Sequence, residues 1–153
     1  MSHKLVVVAI AATVALVAAV SASGSGSKGA TGKTVTVIEH ATTDTTTDTG
    51  ATGDSAGDVL TFANEVFDSK DAKKVGTDQG SCIRTVAGAA YECAWTTFVP
   101  GGQITVEGPF YDAKNSTLAI TGGSGRYRNA RGTMSLESRN GGAKFAFKFH
   151  VIG

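Results

Sequence analysis

The chain is poor in most of what marks a reactive or strongly charged protein. Its 153 residues carry 14 Lys and Arg against 13 Asp and Glu, so no excess of one sign draws it to nucleic acid or to an anionic membrane. Two cysteines, Cys82 and Cys93, stand eleven apart with no third and fourth metal ligand beside them, which argues against zinc. Gly123-Ser124-Gly125 imitates the start of a dinucleotide loop, but Arg128 stands where the third glycine is needed and no helical pattern follows. Helical periodicity beyond a few residues is missing throughout. Neither a metal nor a cofactor is expected.

One long apolar run exists, and it is at the N-terminus. Lys4, the stretch Leu5 to Val20 and the small residues Val20-Ser21-Ala22 form a signal-peptide pattern over 1–22. The run is at the short end for crossing a bilayer, and no cysteine follows it for lipid attachment. The expectation is a secreted, extracellular chain with no stable membrane insertion. Cleavage after Ala22 leaves 131 residues with 13 charges of each sign. Residues 23–33 are rich in Gly, Ser and Ala and read as a flexible linker. Residues 34–153 suit one domain with one core. In an oxidising compartment the two cysteines are most simply a disulfide.

What remains is β-type sequence cut by turns. Strands are expected near 34–41, 58–67, 74–86, 90–99, 103–111, 116–121, 132–139 and 143–152. Pro100-Gly101-Gly102, Asp112 to Asn115 and Asn140-Gly141-Gly142 punctuate them, and a glycine-dense turn is read from Gly122 to Gly132. Eight strands with short turns suit an all-β, up-and-down antiparallel barrel; a sandwich is the alternative. A hairpin turn centred on 87–88 sets Cys82 opposite Cys93 on one face. Thr42 to Gly57 is the longest interruption; its aspartates do not follow the EF-hand spacing.

Alternation exposes two anomalies. Val35, Val37, Glu39 and Ala41 share a face, as do Leu60, Phe62, Asn64 and Val66, so an acid and an amide fall among apolar positions. Buried polar groups are costly unless satisfied, and desolvation raises the pKa of a carboxylic acid. Glu39 and Asn64 are therefore candidate catalytic residues; a self-satisfied pair in the core fits the same pattern. His40 and His150 fall on outward faces, and Arg126, Arg128 and Arg131 read as decoration of a solvated turn.

The run Ile120-Thr121-Gly122-Gly123-Ser124-Gly125, with Tyr127, Ala130 and Gly132 behind it, resembles the signature of the allene oxide cyclase and dirigent barrel families. Gly57 to Asn64, Lys74 to Thr77, Gly80-Ser81-Cys82 and Ile104 to Phe110 resemble consecutive blocks of allene oxide cyclase in the same order. The resemblance implies an eight-stranded barrel around an apolar cavity, assembled as a homo-oligomer (dimer or trimer). It places the family's cavity acid on Glu39, one asparagine on Asn64 and the cysteine on Cys82. The second asparagine falls on Ala41, the tyrosine on Phe110, and the serine–proline pair has no clear counterpart. The implied function is binding an apolar small molecule and steering its cyclisation or coupling; the alternative is a non-catalytic ligand- or partner-binding barrel. Whether the chain is an enzyme is left open; if so, it is an isomerase or cyclase. Phe62, Cys82, Tyr91, Trp95 and Phe110 are the expected cavity walls.

Overall fold

The computed structural model describes residues 32–153; the expected signal peptide and nearly all of the linker lie outside the described residues. The chain forms strands Lys33–His40 (β1), Thr45–Thr47 (β2), Val59–Phe62 (β3), Glu65–Phe67 (β4) and Lys74–Val86 (β5). Ala90–Val99 (β6), Gly102–Tyr111 (β7), Ser116–Gly125 (β8), Arg131–Arg139 (β9) and Lys144–Ile152 (β10) follow. All neighbours are antiparallel. β1 pairs with β10, the order runs back through β9, β8, β7 and β6 to β5, and β4 joins β5 to β1. Counting β3 and β4, which lie end to end along β5, as one wall position, this is a closed eight-stranded barrel. Closure leaves no long edge among the described residues to be paired by another chain.

Two expectations about strands are corrected. The segment 58–67 is not one strand: it breaks at Ala63-Asn64, and β3 instead pairs on its far side with β2, inside the supposed loop. The glycine run is not a turn at its start. β8 continues through Gly122 to Gly125 along β7, and the chain turns only at Arg126 to Ala130. Glycine is needed at 123 because a Cβ there would stand 2.5 Å from the Gln103 carbonyl oxygen and 2.6 Å from that of Tyr127. Close approach of backbones, rather than a bend, explains that residue.

The two ends of the barrel are filled differently. Towards the end where β1 begins, Ile104, Val106, Leu118, Ile120, Met134 and Phe149 are fully buried, and Tyr127 and Ala130 from the turn after β8 cap them. An eight-stranded barrel is just wide enough for side chains to fill it, and here they do. Towards the end where β1 finishes, the inward positions of β5 and β6 form a ladder of unlike rungs. Arg84 faces Tyr91, Cys82 faces Cys93, Gly80 faces Trp95 and Asp78 faces Thr97. The cysteines are joined as expected. The empty side of Gly80 is filled by Trp95, whose Cβ lies 2.2 Å from where a glycine Cβ would be.

The Thr42–Gly57 segment is tied down by its own acids. Asp58 is buried and accepts from the Thr49 and Ser55 amides at 2.9 and 2.8 Å. Asp54 meets Arg84 Nε at 2.7 Å, and Arg84 also makes a two-oxygen pair with Asp112 while lying 3.6 Å over the Tyr91 ring. One buried guanidinium thus joins two loops at that rim, where partial desolvation strengthens each bond.

Candidate functional site

Glu39 and Asn64 meet as alternation implied. Glu39 is 4% exposed and accepts from Asn64 Nδ2 at 2.8 Å. The second Nδ2 hydrogen of Asn64 goes to Asp44 at 2.7 Å. Its carbonyl oxygen takes the Thr42 and Thr43 amides and the Thr43 hydroxyl. This is why the strand breaks at Ala63-Asn64: the amide holds the descending chain after β1 instead of continuing a ladder. Parity survives the break, so Asn64 still points inward.

The residue the sequence reading missed is Asp78. It is 1% exposed, and its backbone pairs with that of Asn64 in both directions at 3.0 and 2.9 Å. Burial, then the neighbouring Asp78 charge, pushes Glu39 up to about 9. Burial likewise raises Asp78, to about 7, despite the Asn64 amide and a bond from the Glu39 carboxyl that favour its ionised form. Two carboxyls this close in a dry interior cannot both ionise, so the pair keeps a proton at neutral pH, and it sits on Glu39. A signal for Asp78 existed: once Cys82 points inward, so does the residue four positions earlier.

β1 is braced from outside at this level. His40 Nε2 lies 2.6 Å from Asp71, which also takes Lys144 at 2.5 Å, and the His40 ring stacks on Phe67 at 4.0 Å. His40 is thus an exterior clamp, and His150 is exposed. Arg126, Arg128 and Arg131 are exposed as read. Among the described residues no group of three His, Cys, Asp or Glu side chains is placed to hold a metal.

Glu39 opens onto a cavity of about 40 Å³. Its walls are Leu60 and Phe62 from β3, both cysteines and Trp95, Phe110 from β7, and Leu136, Phe145 and Phe147. Asp44 stands at the exposed side. Four of the five expected wall residues are there: Phe62, Cys82, Trp95 and Phe110. Tyr91 is not; it lies beyond Phe110, at 6.2 Å between rings, held under Arg84. Asn64 sits behind Glu39 with its hydrogen bonds taken, so it positions the acid rather than facing the cavity. Chemically, the site is a buried acid on an apolar, largely aromatic wall, with Asp44 at its exposed side and a disulfide that offers no free thiolate.

Fold and site together define a class: small closed antiparallel barrels with very few polar groups inside an apolar, aromatic interior. Within that class the chain belongs to the allene oxide cyclase barrel-like domain family, whose model matches residues 36–146. Among solved structures, a pyocyanin demethylase is 26% identical with a TM-score of 0.68, over 78% of this chain and 99% of that one. A pterocarpan synthase dirigent protein is 15% identical with a TM-score of 0.65, over 79% and 94%. An exo-specific intermolecular Diels-Alderase is 14% identical with a TM-score of 0.64, over 80% and 98%. The last two likenesses speak to the fold alone.

Proposed function

We propose that this chain is a secreted barrel that binds an apolar small molecule and steers its ring closure or coupling, with Glu39 as the proton-donating group. The observation that carries the reading is a buried Glu39, held by burial above the ordinary glutamate range, on a mainly apolar cavity wall rich in aromatic rings. A protonated acid in such a place can give a proton to a developing oxygen and take one back from the same molecule as the ring closes, so that Glu39 and Asp78 do not stay ionised together. The walls supply the other half of catalysis by holding one conformer of the ligand, which lowers the entropic cost of ring closure. Structures of this shape that bear the names dirigent protein and Diels-Alderase support a steering role; the demethylase shares the barrel but not that chemistry. The disulfide supports export. Exposed Ile83 and Val86 on the outside of β5 support a homo-oligomer, a dimer or trimer.

A second reading is favoured by the cavity's size. At about 40 Å³ it is far below the ~300 Å³ of a usual ligand pocket. A non-catalytic barrel, packed nearly shut, has that geometry too. For the first reading Leu60, Phe62 and Phe110, none fully buried, must move aside on binding. The deciding experiment is untargeted mass spectrometry of molecules that co-purify with the exported protein, followed by turnover of the captured compound. The first reading expects conversion by the native chain and at least a hundredfold loss, roughly the worth of a general acid, in Glu39→Gln. Full activity in that variant removes Glu39's role, and a captured compound that is never converted leaves the binding reading.

A further inference from the structure

Two buried polar atoms on β6 have no hydrogen-bond partner among the described residues: Trp95 Nε1 and Thr97 Oγ1. They are not scattered. Asp78 and Thr97 face each other across β5 and β6, and Trp95 is the next inward residue of β6. Trp95 and Thr97 are 5% and 0% exposed. An unmade bond on a buried donor is costly, and native interiors keep few of them, so a pair next to a cavity calls for an occupant. The apolar rungs around it hold the indole in place: Phe62 meets it edge-on at 6.0 Å and Phe147 tilts against it at 5.5 Å. Trp95 also lines the Glu39 cavity.

We infer that the Trp95 indole N–H is a specificity-determining donor, backed by Thr97, which seats an acceptor atom of the ligand. This rests on the small-molecule reading above and narrows its substrate class. An indole N–H can only donate. The ligand is therefore an apolar body carrying acceptors, a carbonyl or ether oxygen or an aromatic ring nitrogen, and not a plain hydrocarbon. Its apolar part lies against Phe62, Phe110, Phe145 and Phe147. Trp95 orients, and Glu39 acts on the oriented molecule.

Trp95 is the only tryptophan in the chain, so its indole N–H gives a single, directly assignable NMR resonance. The test titrates the native protein with acetophenone and with cumene, which match in shape but differ in the carbonyl. Acetophenone is expected to bind roughly tenfold more tightly, the worth of one hydrogen bond, and to move the indole N–H resonance downfield. In Trp95→Phe, which keeps an aromatic wall, the preference for acetophenone over cumene disappears. Equal binding of both compounds with an unmoved indole resonance overturns the donor role and leaves the cavity reading standing. Failure of both to bind overturns the two together. The titration of the native chain decides the matter even where Trp95→Phe does not fold.

Discussion

The two ends of one barrel have solved the same packing problem in opposite ways. At the end where β1 begins, inward positions are uniformly apolar and capped by Tyr127 and Ala130. At the other end the inward positions of β1, β5 and the β3–β4 break carry Glu39, Asp78, Arg84 and Asn64. The filled half is close-packed with apolar side chains, while the other half combines buried rings with polar groups and a small void. Stability and chemistry are thus divided along the barrel axis rather than between domains. Strand parity is common to both halves; what differs is whether it is obeyed by apolar residues.

That division is best broken by truncation at each end. Phe149→Ala removes a fully buried ring from the filled end and is expected to cost about 3–5 kcal/mol in denaturant unfolding. Phe110→Ala at the cavity removes a ring that is only half-buried beside a pre-existing void, and is expected to cost about 1–2 kcal/mol. Equal losses would show that the two ends are not energetically distinct.

A smaller effect comes from the acid pair. Glu39 and Asp78 hold a proton more tightly folded than unfolded. Their contribution is therefore complete below the unfolded carboxyl range near pH 4, and it is lost as pH rises through about 7 and about 9. Thermal or denaturant stability should therefore fall between pH 5 and pH 9. Glu39→Gln, which cannot ionise, should flatten that slope; a slope unchanged in the variant would assign it to other groups.

Much of this was legible in the sequence, and the reasons are specific. Seven of the eight wall positions follow from alternation between turn residues, and the Cys82–Cys93 pairing follows from the position of the Ala87-Gly88 turn. Glu39 and Asn64 stood out because parity is a local property. The break at Ala63-Asn64 was hidden because β2 and β3 owe their pairing to contacts distant in sequence: the Asn64 side chain reaching Thr42 and Thr43, and Asp54 reaching Arg84. Asp78 was overlooked because β5 reads as polar on both faces, and two of its inward positions, Gly76 and Gly80, carry no side chain to reveal a stripe. The glycines of β8 misled because a glycine demanded by a close backbone looks the same in sequence as one demanded by a turn.

The proton on Glu39 is the claim from which the chemistry follows. Its side-chain carboxyl carbon, followed by ¹³C NMR from pH 3 to pH 10 in the native chain and in Asp78→Asn, reads that proton directly. The account predicts a neutral carboxyl at pH 7 that titrates well into the alkaline range, and one that comes down in the variant yet stays above an ordinary glutamate because burial is the larger cause. A Glu39 resonance already ionised at pH 6 and titrating near 4.5, as a solvated glutamate does, would contradict it.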